Sequence, residues 1–241
     1  MVTNHGTARF TIAEELRFML PVRHRDGIVA VPVDGTNSLL HEIESLGVSR
    51  TEFGRLEVDG REVAGDHRPV PGESVTVHAI ERPQRVPAHR YQLDVHLGTL
   101  ARRMRLLGLD TAYDSEDIGD AALVEKAARE NRVMLSRDRG LLRRKALPHG
   151  AFVRGQDPDA QLLDVLDRFR PEPAPWTRCP GCNGLLRPAP VDEIAPLVEP
   201  GTLQTYEEFF RCQDCGRPYW RGAHGEGLDR IMEQVRTGGT P

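Results

Sequence analysis

The chain has 241 residues, of which 28% are charged and 39% hydrophobic, with 32 basic side chains against 36 acidic ones. That length allows one large domain or two to three small ones. Near-balanced charge gives no global field that advertises a nucleic-acid partner, and no apolar run approaches the ~20 residues needed to span a bilayer. Met1 to Gly6 show no basic region followed by an apolar stretch, so they do not read as a signal peptide. The expectation is a soluble, cytoplasmic protein with no membrane partner.

Two proline-rich passages, Arg82 to His89 and Pro171 to Pro175, read as extended connectors, because proline lacks a donor N–H and biases its predecessor away from helix. They mark three expected domains: residues 1–82, 90–172 and 176–225. In the first, Ala8 to Ile12 and Gly27 to Val33 alternate as strands do. Thr36, Asn37 or Ser38 can cap a helix carrying Leu39, Leu40, Ile43 and Leu46, which Gly47 ends. Asp59-Gly60 predicts a hairpin, and Ser74 to Ala79 a final strand. This order describes a β-grasp, ubiquitin-like fold. It resembles the small sulfur-carrier proteins of thiamine and molybdopterin biosynthesis, especially in Leu46-Gly47-Val48 through Thr51-Glu52 and in Val58-Asp59-Gly60. Those carriers end in a free Gly-Gly, whereas this chain runs on into a linker with no such pair. A binding or positioning module, which would take a protein partner, is therefore the expectation.

Residues 90–170 alternate strand-like and helix-like stretches, which predicts a parallel α/β sheet. Tyr91 to Val95 is the first strand. A helix to Leu107 follows, with Leu97, Leu100, Ala101, Met104 and Leu107 on one face, Arg102, Arg103 and Arg105 largely off it, and Gly108 as C-cap. Thr111 to Tyr113, Val133 to Leu135 and Ala151 to Val153 are further strands. Helices begin near Gly119-Asp120 and at Asp157 or Asp159. In an open parallel sheet the carboxyl ends of the strands share one edge, where ligands gather. Asp94 sits at or near the end of the first strand, Asp138 lies three residues past the apolar core of the third, and Asp120 starts the helix between them. These three can converge there, and neighbouring carboxylates are tolerable mainly when a hard cation binds between them. Asp120 reads equally well as a helix N-cap and Asp138 as a turn residue. Asp114, Glu116 and Asp117 read as a solvated loop, and Arg137, Arg139, Arg143, Arg144 and Lys145 as exposed surface or a phosphate track.

All four cysteines lie in the last quarter, as Cys179-Pro180-Gly181-Cys182 and, after 29 intervening residues, Cys212-Gln213-Asp214-Cys215. In a reducing cytosol such pairs are metal ligands rather than disulfides. Four thiolates close a tetrahedral sphere, so a structural Zn²⁺ in a zinc ribbon is expected, with Pro188 to Gly201 as an inserted loop or short helix. Tyr219 and Trp220 can stack on unpaired bases with Arg221 on phosphate, or Trp220 can serve as ribbon core. His224 reads as a local hydrogen-bonding residue.

Leu97 to Gly108, Arg132 to Asp138, Cys182-Asn183-Gly184 and Tyr219 to His224 together resemble the Mut-seven C-terminal RNase family. The likeness extends from about Tyr91 to His224, although Tyr91-Gln92-Leu93 is more polar than the apolar run usual before the first aspartate. It implies a PIN-like, Mg²⁺- or Mn²⁺-dependent ribonuclease with Asp94, Asp120 and Asp138 as the acidic site and RNA as substrate. Arg102, Arg137 and Arg221 are the candidate RNA contacts. The alternative is a non-catalytic RNA- or protein-binding adaptor with a zinc ribbon.

Overall fold

The computed structural model describes residues 6–221. The chain forms two compact units: one holds the residues up to Gln84 together with Asp138–Phe152, the other Arg85–Arg137 together with the residues from Val153 on.

The first unit begins with β1 (Thr7–Ile12), which buries Ala8, Phe10 and Ile12 and exposes the residues between them. Two 3₁₀ turns, Glu14–Met19 and Val22–His24, lead to β2 (Ile28–Pro32). Ser38 caps α1 (Leu39–Leu46) by accepting the His41 N–H, and Gly47, at φ 113°, ends it in the left-handed conformation that glycine allows. β3 (Phe53–Val58), β4 (Arg61–Val63) and β5 (Ser74–Ala79) complete the sheet. Asp59 and Gly60, at φ 49° and 75°, make the β3–β4 turn, matching the hairpin expected from that pair. The strand order is β2-β1-β5-β3-β4, with β1 parallel to β5 and the other pairings antiparallel. Phe10, Ile12, Leu39, Ile43, Val48 and Val77 fill one apolar core between sheet and helix, which is a ubiquitin-like arrangement. Burying each such side chain contributes about 1.5–3 kcal/mol.

In the second unit β6 (Arg90–Leu93) leads through a 3₁₀ turn at Val95–Leu97 into α2 (Gly98–Leu106). β7 (Asp110–Tyr113), α3 (Asp120–Arg129) and β8 (Val133–Ser136) follow. β6 lies between β7 and β8 and is parallel to both. All four residues of β8 are buried, as in a parallel strand covered on both faces. Tyr91, Gln92 and Leu93 are equally buried despite their mixed polarity, and the Tyr91 ring meets Phe169 edge-on at 5.6 Å. The next elements, α4 (Arg139–Leu142) and β9 (Gly150–Phe152), belong to the first unit. The chain then returns to the second with α5 (Pro158–Phe169), capped by Asp157, which packs on α2.

The last stretch is a small antiparallel sheet of β10 (Leu186–Pro188), β11 (Phe209–Cys212) and β12 (Pro218–Trp220), in that order. Between β10 and β11 the expected insertion forms α6 (Val191–Ile194), a 3₁₀ turn and α7 (Pro200–Thr205). The second proline passage does not separate this sheet from the α/β layer. Ala174 N–H bonds Leu107 O at 2.8 Å, and a Cβ at Gly108 (φ 80°) would lie 1.9 Å from Ala174 O. Gly108 is required there both by backbone conformation and by that close approach.

Candidate metal centre and acidic strand edge

Two tight turns bring four thiols together. Cys182 Sγ lies 3.4 Å from Cys212 Sγ and Cys179 Sγ 3.7 Å from Cys215 Sγ, and all four sulfurs are within 4.8 Å of one another. A disulfide needs ~2.05 Å, whereas a tetrahedral ion at a Zn–S distance of ~2.3 Å sets sulfurs about 3.8 Å apart. The donor set therefore fits a metal ion such as zinc. Without one the thiols compete for protons. Burial raises the Cys179 pKa, but bonds from Tyr219 and from the Cys182 and Gly181 backbone outweigh it and hold it at about 7. Burial and the neighbouring thiols push Cys182 up to about 12. A divalent cation removes that conflict by taking all four as thiolates.

Polar bonds tie this cluster to the α/β layer. Arg105, expected off the packed face of its helix, is only 5% exposed. Its Nε donates to Thr111 O at 2.8 Å, and its Nη1 donates to Pro180 O and Gly181 O at 3.2 and 3.0 Å, within the first knuckle. Asn183 Oδ1 accepts the Thr111 N–H at 2.9 Å, and its Nδ2 donates to Asp110 Oδ1 at 2.8 Å. Asp110 also pairs with Arg132 at 2.7 Å, Arg90 at 3.2 Å and Arg178 at 3.4 Å. Burial opposes the Asp110 charge, but bonds from Arg132 and Asn183 outweigh it and hold the carboxyl below its ordinary pKa.

The acidic edge lies where the parallel strands end. Leu93 is in register with Tyr113 and with Leu135, so the next residues, Asp94, Asp114 and Ser136, form one row across β6, β7 and β8. Ser136 Oγ donates to Asp94 Oδ2 at 2.7 Å, and Asp94 N–H bonds Leu135 O at 3.1 Å. Asp114, expected in a solvated loop, is partly buried. It accepts Lys126 Nζ on both oxygens, at 2.7 and 2.8 Å, and Gln92 Nε2 at 3.2 Å. Neighbouring strands sit about 4.8 Å apart, so two acids in one row would repel, and Lys126 relieves part of that repulsion.

With this geometry in hand, comparison with family models gives two matches. The Mut7-C RNAse domain matches residues 89–232, more than half of the chain, and the Mut7-C ubiquitin domain matches residues 5–85. The chain belongs to the Mut7-C RNase family. Comparisons with curated proteins and with solved structures return no match.

Within this Mut7-C chain the other candidates are placed as follows. Asp120 is the first helical residue of α3 and not its N-cap, a position taken by Gly119 at φ 78°. The capping alternative is thereby corrected. Asp138 is exposed and caps α4, its Oδ1 accepting the Gly140 N–H at 2.6 Å and the Leu141 N–H at 3.4 Å. Arg102 and Arg137 are exposed, and Arg221 donates to Glu208 at 3.4 Å. Trp220 packs with Tyr206 against the core of Ala189, Ile194 and Phe209, and Tyr219 OH lies 3.1 Å from Cys179 Sγ. Both aromatics thus have structural work in the ribbon. His224 lies outside the described residues. Among the described residues no helix is long and apolar enough to cross a membrane.

Proposed function

We propose that this Mut7-C chain is a soluble, cytoplasmic, metal-dependent ribonuclease that hydrolyses RNA phosphodiester bonds through a PIN-like acidic site. One observation carries the reading: in a chain of this family, Asp94 and Asp114 end adjacent parallel strands in one register row, with Ser136 completing it. Asp138 comes two residues after Ser136 along the chain, and Asp120 opens the intervening helix. Hard carboxylate oxygens suit Mg²⁺ or Mn²⁺. A bound ion would supply a Lewis acid for the phosphoryl oxygens and lower the pKa of its water.

In this proposal Asp94, Asp120 and Asp138 hold the ions. Ser136 fixes the Asp94 rotamer through its 2.7 Å bond. Asp114, already neutralised by Lys126, contributes more to the site's field than to coordination. Arg102, Arg137 and Arg221 take the phosphates of the RNA, and the four-thiol centre holds a structural Zn²⁺ that fixes the ribbon. The test is incubation of purified protein with mixed RNAs under Mn²⁺, Mg²⁺ or EDTA, beside Asp94→Asn and Asp138→Asn. Divalent-dependent cleavage lost in both variants supports the reading. RNA binding without cleavage in any ion would instead favour an adaptor.

A further inference from the structure

The first unit does more than complete its own core. It grips the segment that follows Asp138 at both ends. At the start, Arg139 Nη1 donates to Met19 O at 2.7 Å and Nη2 to Phe18 O at 3.3 Å. These are the last carbonyls of the Glu14–Met19 turn, a place where helical carbonyls lack intrahelical partners. At the far end, Phe152 N–H donates to Glu52 Oε1 at 2.8 Å, and Glu52 is 1% exposed. The Phe18 and Phe152 rings meet at 5.5 Å, and the Arg139 guanidinium lies 5.8 Å from the centre of the Phe152 ring. One cluster thus joins the two ends of the segment. Between them Leu142 and Leu147 are buried, and a Cβ at Gly150 would lie 3.0 Å from each and from Thr51 Cγ2.

Arg139 is also the first residue of α4, whose opening amides, Gly140 and Leu141, orient the Asp138 carboxylate. A direct chain of bonds therefore runs from the ubiquitin-like fold through Arg139 to that first turn and on to Asp138. Burying a carboxylate and part of a guanidinium is weak evidence for stability alone, since apolar replacements often serve as well. What the charges add here is fixed geometry.

We propose that the ubiquitin-like fold is a holder for the Arg139–Phe152 segment, with Arg139 and Glu52 as positioning residues that set the place of the Asp138 carboxylate. The proposal rests on the reading of Asp138 as an ion ligand. It explains a ubiquitin-like module that has no terminal glycine pair: its binding partner is a segment of its own chain.

The experiment is an Mn²⁺ titration of the full-length protein, followed by paramagnetic broadening of the Gly140 and Leu141 amide signals, with amide exchange and RNA cleavage measured alongside. Arg139→Met should raise the Mn²⁺ concentration for half-broadening about tenfold and speed exchange at those amides similarly, the scale of one charge-assisted hydrogen bond. Cleavage at saturating Mn²⁺ should change less, and Arg139→Lys should restore part of the affinity. Glu52→Met should act in the same direction from the other end. Unchanged exchange and unchanged half-broadening in both Met variants would overturn the holder. Broadening in wild type without cleavage would sink the nuclease and leave the holder standing. Absence of broadening at both amides in wild type would remove Asp138 as a ligand, and the positioning proposal with it.

Discussion

The ubiquitin-like unit and the second unit are held together by different physics. The first rests on a continuous apolar core around Phe10, Ile12, Leu39 and Ile43. The second also has apolar layers, but its ribbon joins them through polar contacts: Arg105 to the knuckle carbonyls, Asn183 to Thr111 and Asp110, and Arg178 to Asp110, which Arg132 pairs from within the layer. Apolar packing tolerates gradual loss. A buried ionic joint fails abruptly, because removing one partner leaves the other charged and unsolvated.

The sharpest way to separate the two is removal of metal. Chelation, or Cys179→Ser or Cys212→Ser, should strip about one equivalent of zinc and unfold the ribbon, since structural zinc contributes on the order of 10 kcal/mol or more. Limited proteolysis should then cut between residues 176 and 221 while the ubiquitin-like unit resists. Metal analysis finding no zinc in the purified protein, with oxidised thiols instead, would defeat this.

Next in size, Asp110→Ala should destabilise by about 3 kcal/mol, because it takes from the buried Arg132 one of its two carboxylate partners and leaves it Glu130 alone. Phe10→Ala should cost a similar ~3–5 kcal/mol by opening a cavity. The two should part on pH. Asp110 is depressed in the folded state, so its stabilisation is present above the ordinary carboxylate range and is lost as pH falls through the folded value. Denaturant melts from pH 7 to 2 should show Asp110→Asn flattening the acid limb and Phe10→Ala leaving its shape unchanged. Equal acid slopes would refute the joint.

The contrast also explains what was legible in the sequence. Alternation and helical spacing foretold β1, β2, α1, α2 and α3, because apolar periodicity is local, and Cys-x-x-Cys pairs foretold the four-thiol cluster. Asp94 was legible as an acid ending a buried strand. Asp114 carries the same signal one strand over, Tyr113-Asp114 against Leu93-Asp94, yet its acidic neighbours Glu116 and Asp117 made it read as loop. Arg105 was placed only off the packed face of its helix, because its knuckle partners, Pro180 O and Gly181 O, lie 75 and 76 residues away, and the grip on Arg139 spans 120 residues. No local pattern encodes such contacts. At Asp120 a glycine took the capping position, against the ordinary preference for polar side chains.

A smaller effect tests the acidic row itself. Ser136→Ala removes the bond that fixes Asp94 and should lower cleavage about tenfold with a shift of no more than about 1 kcal/mol in stability. A fall in stability without loss of activity would make Ser136 structural only.

The central claim is tested most directly by one comparison: cleavage of RNA by wild type and by Asp138→Asn, each with Mn²⁺ and with EDTA. Asparagine can still cap α4 but lacks the charge a hard cation needs. Mn²⁺-dependent cleavage is expected from wild type alone, with the variant's fold and zinc content intact. Equal cleavage by the variant, or none by wild type in Mn²⁺, would contradict it.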